Sequence, residues 1–223
     1  MSRPVIVLRP EPGNAATVAK ALAMRMDARA CPLFVTKGVA WSCPDAANFT
    51  AILFTSANGA RLAGPGRMRY LHLPAFAVGD ATAEAAREAG FSSVVTGESD
   101  VARLTAKIAT LGRHKLLHLS GAEVSEVDFM GVEVERRIVY DSEVAPPTCA
   151  MLELLAAGGI ALIHSPRAAA RLAEIMLDRE MLDLVAISAR TAEAAGEGWR
   201  RVAIAAHPRD EAVLDAAAQI ALA

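Results

Sequence analysis

A repeated strand–helix pattern is the feature of this sequence that most restricts its fold. AILFTSANGARL at 51–62 aligns with ALIHSPRAAARL at 161–172, and AVGDATAEAA at 77–86 aligns with AISARTAEAA at 186–195. Each copy is a short apolar run followed by an alanine-rich stretch, and the two pairs occur in the same order. Short buried strands that alternate with helices at this spacing form parallel βα units. The sequence therefore predicts two similar α/β domains.

The same rhythm continues outside the repeat. VIVL at 5–8 and KLLHLS at 115–120 are predicted strands, and Asn14 is predicted to cap the helix that follows the first of them. Two further segments, 28–38 and 134–144, look like extended strands that lack a good helix after them. We predict that these two segments pair with each other as a connector.

The order of the units predicts that one domain is inserted in the other. Domain 1 is expected to be discontinuous and to comprise 1–30 and 145–223, while domain 2 comprises 44–133. The connector would be formed by 31–43 and 134–144. The predicted fold class is α/β, with two similar parallel-sheet α/β domains, one inserted in the other, joined by a two-stranded β connector.

Composition and charge exclude several classes of protein. The chain has 223 residues, is 53% hydrophobic and carries a net charge of −2, which favours a large core and argues against disorder and nucleic-acid binding. Its three cysteines, Cys31, Cys43 and Cys149, have no CxxC spacing, so we expect neither a disulfide framework nor a metal site. The apolar run at the N-terminus soon meets Arg9 and Glu11 and is too short for a signal or membrane segment. We therefore expect a cytoplasmic protein that does not bind membranes.

The candidate binding residues lie where predicted strands end and helices begin. Parallel α/β sheets bind ligands at this edge, where helix N-termini present free backbone N–H groups and a partial positive charge. If the edges of two domains face each other across a cleft, they would suit a carboxylate-rich ligand. The candidates are Arg9, Ser56, Asn58, Thr82, Ser165, Arg167 and Thr191. For either threonine alone, capping of its helix is the favoured role.

Tyr140 is the candidate for chemistry. It is one of two tyrosines in the chain and lies in the predicted connector, in RIVYDS. A phenol stays protonated at neutral pH and can donate a proton or a hydrogen bond. On position alone, packing of the ring against a domain is the favoured role. Arg136 and Arg137 lie on the same predicted strand and are expected to be solvated.

These motifs together resemble the uroporphyrinogen-III synthase family. In family order and over nearly the whole chain they are VLRP, FTSANG, AVGDATAEAAREAGF, IVYDS, HSPRAAARL, AISARTAEAA and AAHPRDEAVLDAA. The resemblance implies two α/β domains joined by a two-stranded ladder. It also implies a lyase without cofactor or metal that cyclises hydroxymethylbilane, an acidic linear tetrapyrrole, with loss of water and inversion of ring D.

The resemblance also assigns roles to residues. It implies that Tyr140, in the V-Y-x-[ST] motif, assists departure of the substrate hydroxyl group. Ser56, Ser165, Thr82 and Thr191 match the family's TS, SP and TA motifs. The partners it implies are the acidic tetrapyrrole substrate and product, and we expect a monomer.

Three segments depart from the family pattern. Ile187 and Ser188 stand where a second Val-Gly is expected, HSP replaces TSP, and the acidic HLSGAEVSEVDF replaces an Arg-Gly followed by basic residues. Two alternatives to the synthase therefore stay open. One is a non-catalytic two-domain ligand-binding protein, and the other is an inactive homologue that keeps the fold.

Overall fold

The computed structural model describes residues 3–97, 108, 115–123, 129 and 131–222. It is an α/β structure with two sheets, and the chain divides into two compact units. Unit 1 comprises Met1–Val35 and Glu143–Ala223, and unit 2 comprises Thr36–Ser142. No helix in the described ranges is long and apolar enough to cross a membrane.

The regular elements alternate along the chain as the repeat predicts. The strands are β1 (Val5–Val7), β2 (Ala28–Ala30), β3 (Phe34–Gly38), β4 (Ala51–Phe54), β5 (Ala75–Val78), β6 (Val94–Gly97), β7 (Lys115–Gly121), β8 (Glu133–Val144), β9 (Gly159–Ile163), β10 (Leu182–Ala186) and β11 (Arg201–Ile204). The described helices are α1 (Gly13–Ala23), α2 (Ala57–Leu62), α3 (Asp80–Glu88), α4 (Cys149–Ala156), α5 (Pro166–Ile175), α6 (Ala189–Ala195) and α7 (Asp210–Ala221). Short 3₁₀ helices span Ala46–Asn48, Pro65–Tyr70 and Arg179–Met181.

The two sheets have the same strand order after a circular shift of the chain. Unit 1 has the order β2-β1-β9-β10-β11, in which all pairs are parallel. Unit 2 has the order β8-β7-β4-β5-β6, also parallel, with β3 added beside β8. The aligned sequence repeats correspond to β4-α2-β5-α3 and β9-α5-β10-α6, which occupy equivalent places. The repeated sequence thus encodes a repeated half-sheet.

This order creates one topological switch point in each sheet. In unit 1 the chain runs from β1 to β2 on one side and from β9 to β10 on the other, so the switch lies between β1 and β9. In unit 2 the same reversal occurs between β4 and β7. Ligands of such sheets bind at the carboxyl ends of the two strands that flank the switch. The topology therefore indicates one candidate binding position in each unit, which we call the switch edge. It lies at the carboxyl ends of β1 and β9 in unit 1 and of β4 and β7 in unit 2.

Strand alternation places apolar side chains on both faces of each sheet. In unit 1, Ile6 and Ile163 pack toward one cluster with Leu172 of α5, whereas Val7 and Leu162 pack toward the other. Unit 2 repeats this arrangement, with separate clusters on its two sheet faces. A parallel sheet that carries helices on both faces is buried on both, which explains the continuous apolar runs in the sequence.

The segment 28–38 forms two strands rather than the single strand that we predict from its sequence. Residues 28–30 pair with β1 as the edge strand β2, and the chain then breaks at Pro32 before β3. Proline has no N–H to donate to a sheet, which explains the break there. β3 does pair with β8. Hydrogen bonds from Val39 N to Val139 O and from Ala145 N to Leu33 O show that this pair is antiparallel.

Candidate functional site

A polar cluster occupies the switch edge of unit 1, and Asp210 is its centre. The Asp210 carboxylate accepts a hydrogen bond from Thr17 Oγ1 at 2.7 Å and lies 3.0 Å from His164 Nε2. Arg9 and Lys20 donate to the same carboxylate at 3.4 and 3.2 Å. Arg9 follows β1 and His164 follows β9, so the cluster spans the switch point.

The charges in this cluster shift the pKa values of its members. Burial raises the pKa of Asp210, but hydrogen bonds from Thr17, Lys20 and His164 outweigh it, and the net pKa is below the usual range. Burial and the nearby Arg9 lower the pKa of His164, although Asp210 opposes the shift. The edge therefore holds a carboxylate and a neutral imidazole at neutral pH.

The Arg9 guanidinium is held by its surroundings. It lies close to Gly13, where an added Cβ would come within 2.4 Å of Arg9 Nε. Thr17 and Asp210 accept hydrogen bonds from the same guanidinium, and a third of the side chain is exposed. Arg9, a predicted binding residue, is thus an ordered cation at the switch edge, partly neutralised by Asp210.

The predicted capping role of Asn14 is wrong. Pro12 occupies the N-cap position of α1, and Asn14 lies inside the helix. The Asn14 side chain is fully buried, and its Nδ2 donates to the carbonyl oxygens of Val7 and Arg9 at 2.8 Å. Asn14 instead ties the end of β1 to α1, which fixes the backbone from which Arg9 extends.

Serine residues cap three helices at strand ends. Ser56 Oγ accepts from Asn58 N at 3.3 Å, Ser165 Oγ from Ala168 N at 3.2 Å, and Ser188 Oγ from Thr191 N at 3.3 Å. Side chains of Ser and Thr at this position satisfy N–H groups that the first helical turn leaves unpaired. Each hydroxyl therefore has a structural role, and Ser56 and Ser165 are only partly buried.

The two TAEAA motifs begin at the third residue of their helices. Thr82 and Thr191 are therefore not caps, because Gly79 and Ser188 hold those positions. Both threonines are buried, and Thr191 has no exposed surface. The Thr191 hydroxyl lies 3.0 Å from Ser188 Oγ. Both copies thus place a buried threonine hydroxyl beneath the strand–helix junction.

The remaining predicted binding residues have defined positions. Arg167, in the first turn of α5, lies with its Cζ 4.5 Å from the centroid of the Phe34 ring. Asn58 lies in the first turn of α2 and contributes its backbone N–H to the Ser56 cap. Both follow a strand that flanks a switch point, β9 for Arg167 and β4 for Asn58.

The switch edge of unit 2 contains a histidine that is not among the predicted site residues. His118, in β7, is almost completely buried, and its Nε2 lies 2.9 Å from Thr55 Oγ1 at the end of β4. Its ring also meets Phe129 edge to face. Burial, with a smaller contribution from Arg136, lowers the pKa of His118 to about 4. The imidazole is therefore neutral and fixes the Thr55 hydroxyl at the strand end.

Tyr140 lies beside the last residue of β7. The Tyr140 ring packs on Gly121, and Tyr140 also packs against the apolar cluster that contains Phe54 and Leu119. The tyrosine is half-buried, so part of it is open to solvent. The structure thus places its phenol at the same sheet edge as Thr55.

Arg136 is an exposed residue, in line with the prediction, but its guanidinium also has polar partners within the protein. Its guanidinium donates to Ser120 Oγ and to the carbonyl oxygens of Gly121 and Ala122. The sequence does not predict these partners, because strand alternation shows only that Arg136 and Arg137 face opposite sides, and not what each side contacts. The acidic segment HLSGAEVSEVDF departs from the family pattern, and its residues 124–128 lie outside the described residues.

Two other aspects of the site concern metals and thiols. Within the ranges the structure covers, no group of three or more His, Cys, Asp or Glu residues could hold a metal ion. Cys31, Cys43 and Cys149 are free thiols. Burial raises the pKa of Cys31 to about 11, so this thiol is unreactive at neutral pH.

The fold and its edges define a class of protein: a two-unit parallel α/β protein with polar groups gathered at the switch point of each sheet. The sequence model of the family HEM4, uroporphyrinogen-III synthase HemD, matches residues 12–215. The chain belongs to this family, which is a family of porphyrin and haem biosynthesis.

Comparison with one solved structure supports the same fold. The uroporphyrinogen-III synthetase of Helicobacter pylori 26695 superposes with a TM-score of 0.68 at 18% identity, over 98% of this chain and 99% of that one. A mutant uroporphyrinogen III synthase of the extremely thermophilic bacterium Thermus thermophilus has 17% identity over 99% of each chain and a TM-score of 0.47. No curated protein matches the sequence significantly.

Proposed function

We propose that this protein is a uroporphyrinogen-III synthase, which cyclises hydroxymethylbilane with loss of water and inversion of ring D. The observation that carries the proposal is Tyr140, a partly buried tyrosine whose ring lies against Gly121 at the end of β7, in a chain of this family. The reaction requires few catalytic groups from the protein. A reactive substrate requires mainly positioning, together with help for the departing hydroxyl.

In the proposed mechanism Tyr140 acts as a general acid. The bond between the hydroxymethyl carbon and its oxygen breaks as a pyrrole nitrogen donates electrons, and the phenol protonates the leaving oxygen to give water. The resulting azafulvene cation is attacked by ring D to form a spiro-pyrrolenine, which fragments and closes again in the inverted sense. Closure releases one proton, which restores the phenol and balances the reaction.

The binding residues are proposed to serve the substrate carboxylates. Arg9 and Arg167 are cations at strand ends, and Ser56, Asn58 and Ser165 contribute polar groups in the first turns of helices. Oriented N–H groups at such turns bind carboxylates. Because Thr82 and Thr191 are buried, we propose that they shape the junctions whose backbone meets the substrate. This design needs no cofactor, and we propose that the enzyme acts as a cytoplasmic monomer.

An assay with hydroxymethylbilane tests the proposal. The substrate closes unaided to the type I isomer, so products must be separated as types I and III. We expect the protein to yield type III uroporphyrinogen faster than type I forms spontaneously. An isomer ratio that stays at the spontaneous value would refute the synthase assignment. In that case, product binding would identify a ligand-binding protein or an inactive homologue.

A further inference from the structure

The register of β8 changes next to Tyr140. β7 and β8 pair regularly as far as Ser120 and Ile138, and then Gly121 pairs with Tyr140. Val139 is the extra residue, and it is fully buried with its carbonyl oxygen bonded to Val39 N at 2.9 Å. An extra residue in one strand redirects the side chains that follow it, and such bulges are frequent next to active sites. The bulge sets the direction in which Tyr140 leaves the sheet.

The tyrosine ring has little freedom on the side that faces β7. A Cβ atom added to Gly121 would lie 2.6 Å from two ring carbons of Tyr140 and 2.9 Å from its hydroxyl oxygen. The ring therefore touches the bare backbone of Gly121. In addition, the Tyr140 carbonyl oxygen accepts a hydrogen bond from Ala122 N at 3.0 Å. The position of the phenol thus depends on the backbone conformation of residues 120–122.

Arg136 holds this short backbone segment. Its Nε donates to Ser120 Oγ at 2.7 Å, and one terminal nitrogen donates to the carbonyl oxygens of Gly121 and Ala122, the latter at 2.7 Å. One guanidinium therefore contacts three consecutive residues. In the part of the chain that the structure describes, no carboxylate pairs with Arg136, while its neighbour Arg137 pairs with Glu135. A charged donor forms a stronger hydrogen bond than a neutral one, so these three bonds tie the exposed Arg136 side chain to the end of β7.

We propose that Arg136 is a positioning residue for the synthase reaction, which acts through Gly121 and Ala122 to fix the Tyr140 hydroxyl against the departing group. The inference rests on the proposed function. Proton transfer requires heavy atoms within hydrogen-bond reach, and a small displacement of the donor lowers the rate steeply. Loss of these three bonds should therefore lower kcat and leave KM nearly unchanged, because the binding groups named above do not depend on Arg136.

A mutant cycle with Tyr140→Phe tests the proposal. Arg136→Met keeps the length of the side chain but removes its donors, and we expect a loss in kcat of roughly tenfold. In the Tyr140→Phe background the same change should cost less than about twofold, because the group that it positions is already gone. Arg136→Lys should recover part of the rate, and Arg137→Met, the matched control, should keep full kcat. Melting temperatures of all variants verify folding.

The outcomes separate this proposal from the proposed function. Equal losses in both backgrounds, or a higher KM at full kcat, would show that Arg136 acts independently of Tyr140 and would refute the positioning role. If Tyr140→Phe alone keeps full rate, the catalytic assignment fails and the positioning role fails with it. Should Arg136→Met not fold, Gly121→Ala disturbs the same ring contact, and the same loss of coupling in the Tyr140→Phe background is expected.

Discussion

At the scale of single residues, the site is built from side chains whose neighbours fix them. Arg9 rests on Gly13 and Tyr140 on Gly121, and at neither glycine is there room for a Cβ. A Cβ at either glycine would displace the end of the Arg9 or Tyr140 side chain, and neither glycine has a positive φ.

The first prediction concerns Tyr140. Tyr140→Phe removes the hydroxyl but keeps the ring and its packing, so stability should be nearly unchanged. If the phenol is the general acid, kcat should fall by roughly a hundredfold. Steady-state assay of type III product, together with product affinity and melting temperature, measures the three effects separately. Full activity with unchanged affinity would make Tyr140 a packing residue of β8.

At the scale of elements, a serine that caps a helix stabilises that helix and is also a proposed substrate contact. The Ser165 hydroxyl pairs with Ala168 N in the first turn of α5 and is also a proposed substrate contact. One measurement cannot separate these roles, because loss of the hydroxyl removes both. Glycine is a better N-cap than alanine, which makes the two roles separable.

The second prediction uses this difference. Ser165→Ala should lower the free energy of unfolding by about 1 kcal/mol, and Ser165→Gly by only a few tenths. If the hydroxyl also contacts the substrate, both variants should raise KM to the same extent. Urea unfolding and assays on the same preparations supply both numbers. A rise in KM that tracks the loss of stability would indicate that Ser165 acts only as a cap.

At the scale of the whole molecule, both units bury a histidine at a switch edge. His118 in unit 2 has a pKa of about 4, and the pKa of His164 in unit 1 is also lowered. A group with a lower pKa in the folded state takes up protons on unfolding between the two pKa values. Its contribution to stability is therefore complete above the unfolded pKa of about 6.5 and is lost as the pH falls.

The third prediction follows from this linkage. Between pH 6.5 and about 4, protonation of His118 in the unfolded chain should lower the free energy of unfolding by up to about 3 kcal/mol, and His164 should add to the loss. Urea unfolding at several pH values measures the slope. His118→Gln should flatten it, whereas His72→Gln, at an exposed position, should not. An unchanged slope in His118→Gln would contradict the assignment.

Much of this protein follows from the sequence alone. The apolar runs and their alternation with alanine-rich segments predict parallel βα units, since strands buried on two faces need apolar side chains on both. The repeat predicts two related sheets, and the residues after the strands predict the edges where Arg9 and Ser165 lie. These inferences succeed because they depend on local periodicity and on the order of elements.

Only the tertiary structure reveals which residues meet at those edges. Asp210 joins Arg9 and His164, and Arg136 clamps the backbone beside Tyr140, through contacts between residues far apart in sequence or on different strands. Alternation along a strand predicts which face of the sheet each side chain occupies. The one-residue bulge at Val139 changes the pairing register of β8 with β7, and the local sequence does not indicate this bulge. The sequence therefore determines the sheets and their edges, and packing between strands determines the chemistry placed on them.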